Sequence, residues 1–399
     1  MKSPWPTKKL GELLILNDPG IWGPPINKPG EGVFILRSTN ILEDGSLDFR
    51  EIAERKVENN KIKNLYLQNG DILLEKSGGG PEQPVGRVAY FIAPDDQKYI
   101  FANFIQRLRP KTDLINNRFL FFYLFFIYRN GLTQRFQSQT TGIRNLNLKL
   151  YFKIKIPLPP LEIQQKIVER LDAIKKAQEL NDKQIELAEE LFQSLLHREL
   201  DPKGKKWEVK KLGEITKIES GGTPSTKKTE YWNGDILWLT PKELSNFEGI
   251  EIYDTERKIT KLGLDHSSAK ILPIGTVLLT SRAPIGYVAI AGKPMATNQG
   301  FKNFICDEKL LNNKFLYYFF KNKAKEIQSL GRGATFGEVN KEIVFNIKIP
   351  LPPLETQRKI VEKLSAVQEY KKKLIDQKQK LQELFESVLN KSFEGELVG

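Results

Sequence analysis

Two stretches of the chain carry a seam of positions at alternating spacings of four and three. The first runs through Ile167, Leu171, Ile174, Gln178, Asn181, Ile185, Ala188, Phe192 and Leu195. The second runs through Ile360, Leu364, Val367, Lys371, Leu374, Lys378, Leu381, Phe385 and Val388. This is the a/d pattern of a coiled coil, sustained over about four heptads. Roughly 35–40 residues at ~1.5 Å each predict a rod of about 55 Å. Pro157, Pro159 and Pro160 bar helix before the first stretch, and Pro202 ends it. The seam turns polar in the middle, at Gln178, Asn181, Lys371 and Lys378, which favours a defined register over maximal stability. Mid-helix charges are acidic in the first copy (Glu179, Asp182, Glu186, Glu189, Glu190) and basic in the second (Lys371, Lys372, Lys373, Lys378, Lys380). The two helices are therefore expected to pair with each other, antiparallel, with a globular body at each end and a twofold rotation between the bodies.

Each long helix is the second half of a repeat. Ile154–Ile174 reads IKIPLPPLEIQQKIVERLDAI and Ile347–Val367 reads IKIPLPPLETQRKIVEKLSAV, identical at 16 of 21 positions without a gap. Upstream, Trp5-Pro-Thr-Lys-Lys-Leu-Gly-Glu12 answers Trp207-Glu-Val-Lys-Lys-Leu-Gly-Glu214. Between these marks the bodies show short apolar runs with glycine-rich turns, the pattern of strands, and one aromatic run each. Phe119–Tyr128 is ten apolar residues between Arg118 and Arg129, and Phe315–Phe320 is its counterpart. A bilayer span needs about 20 residues, so both are expected to be buried core. Mixed α+β bodies follow.

The chain carries 62 Lys+Arg against 49 Asp+Glu, a net charge of +13. Residues 1–155 hold 23 basic and 15 acidic groups (+8), and residues 203–348 hold 24 and 16 (+8). Residues 156–202 hold 6 and 10 (−4), and residues 349–399 hold 9 and 8 (+1). The excess sits in the bodies, where a polyanion would be held. A membrane-surface protein carries such charge on an amphipathic helix instead, so double-stranded DNA is the expected partner and no membrane is. One cysteine, Cys306, excludes an internal disulfide framework. No basic-apolar signal segment opens the chain, and a cytoplasmic location is expected.

Loops just beyond matched strands are the candidate DNA contacts. In the first copy, Gly70–Gly80 reads as turn, buried strand and open loop, placing Lys76 and Ser77 past the strand end; Ser281 and Arg282 are the counterparts. Glycine-rich loops let backbone approach phosphate closely. Arg87 and Tyr287 hold matched places in Val85-Gly-Arg-Val-Ala89 and Ile285-Gly-Tyr-Val-Ala289. The amide-rich stretch Gln134–Asn145 offers Arg135, Gln137 and Arg144, and Ser329–Phe336 puts Arg332 between glycines. Arg pairs bidentately with guanine and Gln or Asn with adenine in the major groove. Arg107 and Arg109 are expected on a basic strand face. Dimeric DNA readers span half-sites ~34 Å apart, and two dissimilar bodies on a rod predict a split, asymmetric target.

The chain resembles the specificity subunit of type I restriction-modification systems. The resemblance covers essentially the full length. It rests on the twice-used Ile-Pro-Leu-Pro-Pro-Leu-Glu-x-Gln segment, on Trp-x-x-Lys-Lys-Leu-Gly-Glu opening each body, and on Ser220-Gly-Gly-Thr-Pro-Ser225 followed by Tyr231–Pro241. The order body, helix, body, helix completes it. It implies target-recognition domains at residues 1–156 and 203–349 and long helices at 157–202 and 350–399, with Thr223 added to the DNA-facing set. Each domain would read half of a bipartite site. The helices would set the spacer and dock two methyltransferase subunits through Leu161, Ile167, Leu171, Leu354, Ile360 and Leu364. Those partners would use S-adenosylmethionine to methylate adenine, and nuclease-translocase subunits using ATP with magnesium would join them. Two departures stand out. Glu162-Ile163 and Glu355-Thr356 occur where the family often has two acids, and the first body has Asp18-Pro-Gly-Ile-Trp-Gly23 in place of the Gly-Gly-Thr-Pro turn.

Catalysis by this chain itself is disfavoured. It lacks a phosphate-binding Gly-x-x-x-x-Gly-Lys-Ser/Thr loop and an Asn/Asp-Pro-Pro-Tyr/Phe motif, and His197, His266 and Cys306 are too few for a zinc cage. No catalytic residue, metal ligand or cofactor is expected on it. The competing reading is a nonspecific DNA-binding coiled-coil scaffold, against which the divergence of loops on matched frames argues.

Overall fold

The two motifs that mark the repeat are built against each other. Thr7–Lys9 forms an antiparallel ribbon with Lys155–Pro157, pairing Lys9 with Lys155, and Glu208–Lys211 does the same with Lys348–Leu351, pairing Lys211 with Lys348. The strand that opens a body thus lies on the strand that leads into its long helix. At Gly213 the packing is tight: a Cβ there would sit 1.8 Å from the Phe345 ring, so a larger residue would have to displace that ring. The computed structural model describes residues 5–80, 83–140, 143–282, 284–331 and 337–394. Arg332, one of the candidate contacts, lies outside them.

The chain divides into two units, one of residues up to Asp182 together with those from Gln377 onward, the other of Lys183–Asp376. In the first unit, an antiparallel sheet runs in the order Leu14–Leu16, Ile105–Pro110, Ile72–Glu75, Val88–Tyr90. A second sheet has Val33–Leu36 at its centre, antiparallel to Ala53–Arg55 and parallel to Tyr99–Phe101. In the second unit the corresponding main sheet runs Thr216–Ser220, Phe301–Cys306, Val277–Thr280, Val288–Ala291, Glu251–Ile252. Its smaller sheet centres on Trp232–Leu239, between Lys258–Ile259 and Ala296–Thr297. Ile72–Glu75 and Val277–Thr280 are buried at every position, as central strands covered on both faces should be.

The aromatic runs are helices, Asn117–Arg129 and Asn313–Leu330, capped in the same way. The Asn116 carboxamide accepts from Arg118 N and Phe119 N at 2.9 and 3.1 Å, and Asn312 accepts from Lys314 N and Phe315 N at the same distances. N-cap asparagine satisfies donors that the first turn leaves free. Phe119, Leu120, Phe121, Phe122 and Leu124 are all buried, so the expectation of a core segment holds.

The long helices are Leu161–Leu200 and Leu354–Glu394. They pair antiparallel. In the first unit Gln178 Nε2 donates to Leu381 O at 3.2 Å, and Lys378 meets Asp182 at 2.8 Å. In the second, Lys371 meets Glu189 at 2.7 Å and Lys363 meets Glu199 at 3.3 Å. Opposite charges in the middle of the seam pair as the sequence suggests. Each helix also completes both cores. Ile167, Val168 and Leu171 join Phe385, Leu389 and Phe393 against the first aromatic helix, where Phe393 lies 5.4 Å from Phe119 and edge-on to Tyr123 at 5.2 Å. Phe192, Leu196 and Leu200 join Ile360 and Leu364 in the second core. The helices are structural members of the bodies.

This corrects one set of expectations. Ile167, Leu171, Ile360 and Leu364, assigned to partner subunits, are buried inside the chain. Only Leu161 and Leu354 of that set reach the surface. The periodicity reports a buried face, and the chain's own bodies and second helix occupy it. The exposed apolar residues lie on other faces: Leu180 and Leu384 in the first unit, Leu187, Leu191, Tyr370 and Ile375 in the second.

Candidate nucleic-acid interface

Strand register makes the two bodies comparable residue by residue. Ile72 pairs with Leu108 as Val277 pairs with Phe304. Counting along both strands, Lys76 answers Ser281, Ser77 answers Arg282, and Gln106 answers Lys302. A third element arrives at the same place in both: Leu146 N donates to Lys76 O at 2.8 Å, and Val339 N donates to Ser281 O at 2.9 Å. Asn145 therefore answers Glu338.

These four positions form a polar quartet at the end of each main sheet. In the first body Lys76 Nζ donates to Gln106 Oε1 at 3.3 Å, and Ser77 Oγ is bonded to Asn145 Oδ1. In the second body the lysine comes from the neighbouring strand: Lys302 Nζ donates to Ser281 Oγ at 3.3 Å and to Glu338 Oε1 at 3.1 Å. Arg282 completes it, 2.8 Å from Glu338. Each quartet carries one net positive charge, from Lys76 alone in one case and from Arg282 and Lys302 against Glu338 in the other. The scaffold is common and the chemistry presented on it differs. Burial depresses the Lys76 ammonium below the usual lysine value. Burial opposes ionisation of Glu338, yet hydrogen bonds from Arg282 and Lys302 hold its carboxyl below the usual range.

Beyond the quartet, the first body projects a hairpin. Gln137–Thr140 pairs antiparallel with Ile143–Leu146, and that strand pairs with Ser77–Gly79. Arg144 is half-buried on the inner strand, Arg135 is exposed just before the hairpin, and Gln137 Nε2 donates to Val85 O at 3.2 Å. A two-stranded ribbon of this kind fits the major groove. Tyr287 is exposed in the second body, and Thr223 is half-buried.

Three arginines have other work. Arg87 binds Glu75 at 2.7 Å and donates to Ile41 O and Ser38 O at 2.7 and 3.1 Å. Arg107 is 0% exposed and donates to Asp18, Tyr66 O and Asn64 O. Arg109 grips Asp71 with Nε and Nη2 at 2.6 and 2.7 Å. These contacts commit all three guanidiniums to the interior of the body, with Arg107 Nε buried and unpartnered, so the expectation that they face DNA is withdrawn. Ser281 is likewise buried, and its Oγ accepts from Lys302 Nζ. Sequence reasoning missed Gln106, Lys302 and Glu338, and placed Asn145 in a candidate stretch without singling it out. It also missed two cation–π pairs, Arg55 over Trp22 at 4.6 Å and Arg257 over Trp232 at 3.9 Å. The +193 and strand-end offsets would have found Lys302 only with the register in hand.

The geometry defines a two-body protein whose bodies share a frame and present different polar groups at equivalent strand ends. Comparison with known proteins names the family. The type I restriction modification DNA specificity domain matches residues 3–190 and 204–384, and the chain belongs to that family. It is 45% identical over 186 residues to the type I restriction enzyme MjaIX specificity subunit of Methanocaldococcus jannaschii; that match spans 46% of this chain and only 42% of the relative. It is 25% identical to the putative MjaX specificity subunit of the same organism, across 97% of this chain and 91% of the relative. A solved chain from a study of complex assembly and conformational transition in the type I R-M system superposes with a TM-score of 0.65 at 22% identity, covering all of both chains. The HsdS subunit from Thermoanaerobacter tengcongensis gives 0.56 at 21% identity, covering 100% of this chain and 99% of that one. These two likenesses establish the fold. Among the described residues no helix is long and apolar enough to cross a membrane.

Proposed function

We propose that this chain is the DNA-reading subunit of a type I restriction-modification complex and carries out no chemistry itself. Each body reads one half of a split, asymmetric site, and the paired helices set the spacing. The observation that carries the reading is the quartet: one backbone frame, used twice, with Lys76, Ser77, Gln106 and Asn145 in one copy and Ser281, Arg282, Lys302 and Glu338 in the other. A nonspecific binder gains nothing from such divergence. Phosphate contacts position a protein on the duplex and base-edge contacts specify sequence. Arg135 and Lys76 suit the first role, and Arg144, Gln137, Arg282 and Tyr287 suit the second, while the buried Lys302 holds Glu338 and Ser281 in place.

Two methyltransferase subunits, binding S-adenosylmethionine, are the partners for adenine modification. Nuclease-translocase subunits, binding ATP and magnesium, are the partners for restriction. The exposed Leu187 and Leu191, one helical turn apart, replace the buried seam as the docking residues for a methyltransferase. The test is a map of methylated adenines in cells with and without this chain. A bipartite motif that disappears with the chain supports the reading, and an unchanged map overturns it.

A further inference from the structure

The glutamine of the repeated Ile-Pro-Leu-Pro-Pro-Leu-Glu-x-Gln segment is buried in both copies. Gln164 is 1% exposed and Gln357 is 0% exposed. Each side chain spans the same two backbone groups. Gln164 Oε1 accepts from Asn116 N and its Nε2 donates to Pro159 O, both at 2.8 Å. Gln357 Oε1 accepts from Asn312 N and its Nε2 donates to Pro352 O, again at 2.8 Å, with a further donation to Leu310 O at 2.8 Å. Asn116 and Asn312 are the caps of the two aromatic helices, so the amide ties the first turn of a long helix to the start of the helix at the centre of its body.

The prolines explain why a side chain is needed. The long helix begins directly after Pro159-Pro160 and Pro352-Pro353; the Pro160 and Pro353 carbonyls accept the first helical N–H bonds, and the Pro159 and Pro352 carbonyls, one residue earlier, must find donors elsewhere. The cap residue of the aromatic helix has the opposite need, a buried N–H seeking an acceptor. A primary amide satisfies both at once and is the smallest side chain that carries a donor and an acceptor at this reach. Among the described residues, the other polar links between these two helices differ from unit to unit. In the first, Asn116 Nδ2 donates to Gln165 Oε1 at 3.0 Å and Arg118 pairs with Asp172 at 2.8 Å. At +193 from Gln165 and Asp172 stand Arg358 and Ser365, and Ser365 instead meets Tyr318 OH at 3.0 Å. Only the glutamine link is repeated.

We infer that Gln164 and Gln357 are positioning residues that fix the orientation of each recognition body on its long helix, and that they thereby hold the number of base pairs between the two half-sites to one value. The inference rests on the proposed function. Loosening one clamp lets one body pivot about the proline turn while its DNA-facing loops keep their own structure.

The test expresses the full chain with its methyltransferase subunit and maps the gap between methylated half-sites at saturating sequence coverage. Gln164→Met and Gln357→Met, made singly, keep length and volume and remove the two bonds of Gln164 or the three of Gln357. Each should raise the share of modified sites whose gap is one base pair longer or shorter by about tenfold, with the half-site bases unchanged. Gln164→Glu keeps the acceptor for Asn116 N–H and loses the donor to Pro159 O, and should give a smaller shift in the same direction if the methionine variant does not fold. Hydrogen exchange at the Asn116 amide should quicken at least tenfold in the folded variants, with the sheet amides unchanged. Modification that falls in amount while the gap stays single would make the glutamines plain stabilisers and overturn the inference. A wild-type complex that methylates no split site would instead overturn the proposed function.

Discussion

Lys302 and Glu338 lie 3.1 Å apart at the end of the second body's main sheet, with the lysine side chain only 5% exposed. Arg282 shares the same carboxylate. Replacing the carboxylate by an amide leaves a buried ammonium with only neutral acceptors. Glu338→Gln should therefore destabilise the second unit by about 1–3 kcal/mol near neutral pH. Because the Glu338 pKa is lowered in the folded chain, its stabilisation is fully present above the ordinary glutamate value and is lost as pH falls through the folded one. Urea midpoints of wild type and variant should differ at pH 7 and converge toward pH 3. A difference that persists at low pH would refute the assignment.

Arg107 and Arg135 should separate folding from binding. Arg107→Ala leaves two backbone carbonyls without their donors and removes a fully buried side chain, and should cost about 1–3 kcal/mol of first-unit stability by chemical denaturation. Arg135→Ala, at an exposed position, should leave unfolding unchanged. It should lower the slope of log K against log salt by about 0.9, the share of one phosphate contact.

Arg144 stands on the hairpin strand that leans on Ser77–Gly79. Replacing it with alanine should relax reading in one half-site by about 1–3 kcal/mol of base discrimination and leave the other half untouched. Binding to a panel of singly substituted sites measures this. An equal loss on every sequence would make Arg144 a phosphate contact.

Leu171 and Leu187 test the division between buried seam and exposed face. Leu171→Ala removes a fully buried side chain and should cost about 2–5 kcal/mol. Leu187→Ser, at a position 52% exposed, should change stability by less than about 0.5 kcal/mol. Its effect should appear in pull-down of the methyltransferase subunit. Retained association in a Leu187→Ser, Leu191→Ser double variant would remove this face from the docking surface.

The repeat also predicts a viable circular permutant. Leu200 in the second core and Phe393 in the first stand at matched positions, as do the opening strands that begin at Glu208 and Thr7. A chain opened at Lys203, with its old ends joined by a linker like Asp201–Lys206, should unfold cooperatively in calorimetry. Failure to fold would count against equivalence of the two halves.

Much of this architecture is legible in the sequence, and the limits have physical causes. The long helices, their antiparallel pairing and the paired motifs follow from periodicity, proline placement and complementary charge, all local or repeated signals. Lys371–Glu189 and Lys378–Asp182 are where opposite charge places them. The partners of single side chains are not local. Arg107 binds Asp18 89 residues away, and Arg109 binds Asp71 38 residues away; a basic strand face and a buried ion pair look the same until those acids are placed. Ile167 and Leu364 illustrate the related limit: an apolar period marks a covered face and does not name what covers it. Lys76 and Lys302 put a like charge at one site from different strands, so comparison along the sequence alone overlooks the equivalence.

The last turns of the C-terminal helix, through Phe385, Leu389 and Phe393, fill the core of the N-terminal body. During synthesis that body must wait, its aromatic helix uncovered, until the segment through Phe393 has left the ribosome, whereas the second body has all its segments once Asp376 has emerged. A stop codon near Gln377 would therefore wound the half of the molecule translated first.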